Sequence, residues 1–140
     1  MTSFKELQQS QNIKNETIIL KNKREKIPEF LAETLNLPPN TEAVSLVRLR
    51  KISGEVIIID KDILMANIVD SVPSEAAEDS LYDYLEGTLG LNISYAKKVF
   101  VVEAATPEDR AMMHLPEDSY VVVVKSEVYL EDTRLFQYTE

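Results

Sequence analysis

The stretch Ala43-Val44-Ser45-Leu46-Val47-Arg48-Leu49-Arg50-Lys51-Ile52-Ser53-Gly54-Glu55-Val56-Ile57-Ile58-Ile59-Asp60-Lys61-Asp62-Ile63-Leu64 decides the fold. Two runs rich in β-branched residues flank Ser53-Gly54, a pair suited to a tight reversal. They read as the two strands of a hairpin, 43–52 and 55–64. Upstream, Glu16 to Arg24 alternates around Ile18, Ile19 and Leu20 and reads as another strand. Pro28 then begins a helix carrying Phe30, Leu31, Thr34 and Leu35 at helical spacing, because proline is tolerated in a first turn. Asn36-Leu37-Pro38-Pro39-Asn40 ends it. The polar start of the chain has Phe4, Leu7 and Ile13 as apolar anchors, and Ser3-Phe4-Lys5-Glu6-Leu7 reads as a short helix capped by Ser3.

Downstream, Ser80 is an N-cap with Asp83 three residues on, a variant capping box. Leu81, Leu85 and Leu89 share one helical face, and Gly90 is a natural stop. Glu75, Glu78 and Asp79 form an acidic solvated face. Ile93 to Ala104 reads as a strand. Thr106-Pro107-Glu108-Asp109 is the strongest helix start in the chain: a cap, a proline, then acids favoured by the helix dipole. That helix stops before Pro116. Tyr120 to Leu130 holds four consecutive valines, the pattern of a central strand buried on both faces. Glu131-Asp132-Thr133 turns the chain into a last strand from Leu135 to Glu140. Strands come in hairpins rather than alternating with crossover helices, so the fold class is α+β: one antiparallel sheet with three or four helices around it.

Composition narrows the function. The 140 residues suit one domain. Lys+Arg 15 against Asp+Glu 24 gives a formal net charge of -9, a surface that repels nucleic-acid phosphates. With Cys 0 there is no disulfide, thiolate zinc site, iron–sulfur cluster or Cys nucleophile. The single His, His114, cannot build a multi-His metal site and reads as a helix C-terminal residue. Met112 and Met113 read as core or interface filler. There is no phosphate-cradling glycine loop or His-Glu metalloprotease motif. No metal or cofactor is expected, and no membrane-spanning run or signal peptide opens the chain. The expected compartment is the cytoplasm.

One constellation carries chemistry. Side chains alternate along a strand, so Arg48 and Arg50 share a face with Leu46 and Ile52. Two guanidiniums on an apolar face either lie in solvent, pair with acids, or await an anion. Asp60 bears on this through the turn. A three-residue loop, Ile52-Ser53-Gly54, pairs Lys51 with Glu55 and Leu46 with Asp60, which puts Asp60 beside both arginines. A two-residue turn would send Asp60 to the other face, and the glycine in final position favours the three-residue loop. An acid beside two arginines suits a polyol phosphate, with guanidiniums on the phosphate and the carboxylate accepting sugar hydroxyls; an internal Arg–Asp salt bridge is the alternative. Ser80 is a plain N-cap or a hydroxyl donor to phosphate.

The order Val47-Arg48-Leu49-Arg50, Ser53-Gly54, Ile59-Asp60, Ser80-Leu81-Tyr82-Asp83-Tyr84-Leu85 and Leu135-Phe136-Gln137-Tyr138-Thr139-Glu140 resembles the UTRA domain of the HutC branch of GntR transcription regulators. The resemblance runs from Ser3 to Glu140. Gly90-Leu91-Asn92-Ile93-Ser94-Tyr95-Ala96 and the segment 130–140 are most similar to regulators of trehalose utilisation. The resemblance implies a chorismate-lyase-like fold and a repressor's effector-binding domain, with trehalose 6-phosphate or a related sugar phosphate as inducer. It implies a homodimer, and contact with operator DNA only through an N-terminal winged helix-turn-helix domain that this chain lacks. It also implies site residues. Arg48, Arg50, Ser80 and the Ser3-Phe4-Lys5 loop surround the phosphate; Asp60, Tyr82 and Gln137 reach the sugar. Many members carry Glu at the positions of Asp60 and Gln137, and relatives continue through a further strand, which would leave a sheet edge exposed here.

Two other functions compete. A lyase acting on an aromatic acid such as chorismate would share the fold, with the arginines holding carboxylates. The absence of a second strong basic anchor argues against it, and no catalysis is expected. A pure dimerisation module is the third reading, and fold analogy alone does not separate the three.

Overall fold

The computed structural model of the chain describes residues 15–140. The expected helix at Ser3–Leu7 lies outside them. Six strands, β1 (Asn15–Lys26), β2 (Glu42–Ile52), β3 (Glu55–Met65), β4 (Ile93–Ala104), β5 (Tyr120–Leu130) and β6 (Leu135–Thr139), form one sheet in the order β1-β2-β3-β6-β5-β4. Every pairing is antiparallel, as expected for an α+β fold built from hairpins. The last strand is not an edge: β6 lies between β3 and β5, and the edges are β1 and β4. It joins two hairpin systems by short ladders, Asp62 to Leu64 on one side and Ser126 to Tyr129 on the other.

The β2–β3 turn corrects the expected register. The loop has two residues, with Ser53 at φ 51° and Gly54 at φ 82°, and Ile52 pairs with Glu55. Positive φ at both central residues matches the right-handed twist of a hairpin. Ile57 is then an extra residue: Lys51 pairs with Val56 but Arg50 with Ile58. This bulge restores the face that the short turn would have lost. Asp60 ends up opposite Arg48, and Asp62 opposite Leu46.

Four helical segments pack on the sheet: α1 (Glu29–Thr34), α2 (Ser74–Glu78), α3 (Leu81–Asp83, continued by a π-helical turn at Tyr84–Thr88) and α4 (Pro107–Met113). On one face Ile27, Leu31, Ala32 and Leu35 meet Ala43 and Met65. On the other, Leu81, Leu85 and Ala77 meet Leu46, Leu64, Val128 and Phe136. α2 has no capping signal in its sequence and was not expected; its fully buried Ala77 anchors it inside an acidic surface. α4 has the full capping box, with Thr106 Oγ1 accepting from Asp109 N at 3.0 Å and Asp109 Oδ2 accepting from Thr106 N at 3.1 Å. It ends at His114 in the left-handed conformation.

Three burial expectations fail. Phe30 is 72% exposed although it shares a helix with buried Leu31. Leu89 is also exposed, because its N–H reaches back five residues to Tyr84 O and the wider turn rotates it off the Leu81–Leu85 row. β5 is neither central nor buried on both faces: Tyr120 and Val122 are 70% and 67% exposed. A valine run favours a strand but does not choose its neighbours, and this half of β5 projects past the end of β6 with only β4 beside it.

Candidate functional site

The bulge at Ile57 brings Arg48, Arg50, Asp60 and Asp62 to one face of the sheet. Arg48 and Arg50 are 5% and 7% exposed, and Asp62 is 4% exposed. Arg48 Nη2 donates to Asp62 Oδ2 at 2.7 Å and stands 3.9 Å from Asp60 Oδ2. Arg50 donates from Nε to Asp60 Oδ2 at 2.9 Å and from Nη1 to Thr17 Oγ1 at 3.1 Å. From β6, Gln137 Nε2 donates to Asp62 Oδ1 at 3.1 Å. Both Asp62 oxygens are therefore engaged, one by a cation and one by a neutral amide. Burial pushes the Asp62 carboxyl up, and Arg48 pulls in the opposite direction. Burial also lowers the Arg50 guanidinium, with Arg48 adding to the effect and Asp60 opposing it.

Arg48 is not satisfied. Its Nε and Nη1 are buried and have no hydrogen-bond partner among the described residues. A buried cation with open donors costs several kcal/mol unless an acceptor arrives, on the order of 1–3 kcal/mol for each unmade bond. This guanidinium lines a cleft of about 1280 Å³. Arg50, Asp60, Ser80, Tyr82 and Gln137 line the same cleft, so every expected site residue that is described falls in one place. Ser3, Phe4 and Lys5 lie outside the described residues.

Ser80 is held by α3. Its Oγ accepts from Asp83 N at 3.3 Å, the expected N-cap, which leaves the hydroxyl proton to donate elsewhere. Three residues in or beside the site were missed in the sequence. Asp62 follows from parity: once Asp60 faces the arginines, so does the residue two further on. Thr17 gives no signal, since only the β1–β2 register sets it opposite Arg50. Lys98, on β4, lines the cleft as well and supplies the additional basic residue that the sequence did not reveal. Among the described residues no group of three His, Cys, Asp or Glu side chains is placed to hold a metal ion, and no helix is long and apolar enough to cross a membrane.

A hairpin-built sheet thus holds buried cations against a cleft. The chain belongs to the UTRA domain family, whose sequence model matches residues 10–140. It is 41% identical over 140 residues to the HTH-type transcriptional regulator TreR of Bacillus subtilis (strain 168), a match covering 100% of this chain and 59% of that protein. The chain thus spans about three fifths of that relative's length. It is similar in structure to the effector binding domain of the B. subtilis trehalose repressor, with a TM-score of 0.80 and 41% identity, covering 89% of this chain and 86% of that one. A GntR-family transcriptional regulator from Bacillus cereus shares the fold at 22% identity, with a TM-score of 0.79 over 89% of this chain and 87% of the other. The fold is the chorismate-lyase-like one expected. These relatives are transcription regulators, not enzymes.

Proposed function

We propose that this chain is the sensor half of a repressor of trehalose utilisation and that its inducer is trehalose 6-phosphate or a related sugar phosphate. The observation that carries the reading is Arg48, buried in the cleft with Nε and Nη1 unpaired. A phosphate monoester supplies the acceptors these donors lack. In this reading Arg48, Arg50 and the Ser80 hydroxyl take the phosphate, joined by Ser3, Phe4 and Lys5. Asp60, Tyr82 and Gln137 serve the sugar hydroxyls.

The regulatory step follows from linkage. A ligand shifts an equilibrium only by binding one state better than another. Here ligand joins β2, β3 and α3 through one anion and favours a homodimer geometry in which attached DNA-reading heads no longer match the operator. The winged helix-turn-helix supplying those heads belongs to the longer protein, and its seat is the cytoplasm. The net charge of -9 fits a chain that leaves DNA contact to another domain.

Calorimetric titration with trehalose 6-phosphate tests the proposal. Saturable heat is expected, lost in Arg48→Ala; no heat from the parent chain would refute the reading.

A further inference from the structure

The cluster around Arg48 has a charge balance that a phosphate would upset. Two guanidiniums, Arg48 and Arg50, face two carboxylates, Asp60 and Asp62, so the sum is zero before any ligand enters. A phosphate monoester above its second pKa, about 6, adds close to two negative charges. Charge left unbalanced at a buried position is relieved by taking up a proton.

The acids differ in their fitness for that proton. Asp60 is about one-third exposed in its side chain, at 34%, so water shares its charge. Asp62 is shut in. The groups facing it are Arg48 and Arg50 from β2, Asp60 on its own strand, and uncharged Gln137, Thr139 and Ser126 from β6 and β5. Further out, the cleft carries Lys61 and Lys98 with Asp79, Glu86, Glu103, Asp109 and Glu140, five acids to two cations.

Gln137 equips Asp62 for both charge states. With the carboxylate ionised, Gln137 Nε2 donates to Oδ1 at 3.1 Å. With Oδ1 protonated, a half-turn of the amide presents Oε1 to accept the new O–H. The contact is kept while its direction reverses. A glutamate at position 137 would add a further negative charge instead. Protonation also loosens Asp62's hold on Arg48 and releases that guanidinium toward the incoming oxyanion.

We propose that Asp62, held between Gln137 and Arg48, is a positioning residue for the effector's anionic group and takes up a proton when a dianion binds, so that affinity for a phosphate monoester rises as pH falls. This rests on the sugar-phosphate reading above and adds to it a proton that travels with the ligand.

The experiment is titration calorimetry of the chain with trehalose 6-phosphate at pH 8.0, where the ligand is already dianionic, in two buffers of different ionisation enthalpy. Expected are unequal heats corresponding to uptake of up to one proton per ligand. Between pH 7.5 and 8.5 the affinity is expected to fall by up to about tenfold per pH unit. Asp62→Asn is expected to remove both effects while its affinity becomes independent of pH in this range. Equal heats in the two buffers with clear binding would overturn the proton uptake and leave the sugar-phosphate reading standing. An uptake that persists in Asp62→Asn would overturn the assignment to Asp62. Because the buffer comparison uses the parent chain, it decides the proton uptake even where the variant fails to fold. Absence of binding heat from the parent chain would sink both.

Discussion

Asp62 stands opposite Leu46 in the β2–β3 ladder, not opposite Arg48, yet it takes the shorter contact with Arg48: 2.7 Å against 3.9 Å for Asp60, which is directly across from that arginine. The longer diagonal reach lets one carboxylate serve each guanidinium, Asp62 for Arg48 and Asp60 for Arg50. It also sets an order of importance. Asp62→Ala strands a buried cation and is expected to destabilise the chain by about 3 kcal/mol. Asp60→Ala, at a partly solvated position, is expected to cost clearly less. Urea unfolding of the two variants measures the difference, and equal losses would contradict it.

Stability and ligand response are expected to separate. Replacing the buried polar triad together, Arg48→Met with Asp62→Leu and Gln137→Leu, removes both the ion pair and its amide. Such swaps are often neutral or stabilising by about 1–4 kcal/mol. The triple variant is expected to melt no lower than the parent while losing any shift with trehalose 6-phosphate. For the parent, ligand at a hundred times its dissociation constant would add about 2.7 kcal/mol. A thermal-shift series with both proteins reads this directly.

Arg48→Lys isolates geometry from charge. The ammonium keeps the positive charge but not the planar fork that holds Asp62 and an oxyanion together. Binding of the sugar phosphate is expected to weaken by at least about tenfold, roughly 1.4 kcal/mol, with little change in the circular dichroism spectrum. Retained affinity would show that charge alone suffices.

The β-turn offers a stabilising change at a residue that does not line the cleft. Ser53 holds φ 51°, a left-handed conformation that disfavours most side chains. Asn followed by Gly is the preferred pair for such a turn. Ser53→Asn is expected to stabilise by about 0.5–1 kcal/mol with ligand response unchanged, measured as a shift of the urea midpoint at constant slope.

Tyr138 is expected to contribute to the alkaline loss of stability. Burial, with Glu140 and Glu127 nearby, pushes its phenol up to about 12 from the usual value near 10. The folded chain thus holds a proton that the unfolded chain releases. Stability from this group is complete below about pH 10 and is lost as pH rises toward 12. Tyr138→Phe is expected to flatten the alkaline decline over that window. Ultraviolet titration should show one tyrosine fewer ionising late.

The cleft was legible in the sequence to the extent that it depends on parity and caps. Arg48 and Arg50 on alternate positions, and Ser80 ahead of a polar residue three on, state their own geometry. Asp60 reached the expected face by a different route. Turn and bulge together amount to the same parity as a three-residue loop, and Ser53-Gly54 by itself does not reveal the extra residue at Ile57. Neighbour choice was not legible. Nothing in Gln137 or Thr17 names Asp62 or Arg50 as a partner, because both contacts depend on strand order across the sheet. The exposure of Tyr120 and Val122 has the same origin.

The two walls of the cleft come from separate hairpins stitched along five residues, Leu135 to Thr139. A chain trimmed of this seam would keep both guanidiniums and both carboxylates in place on β2 and β3. It would still lose the cavity's frame, because the β4–β5 wall would lose its hydrogen-bonded join to β3. Recognition here is therefore as much a matter of keeping two half-sheets registered as of holding charges, and the shortest strand governs it.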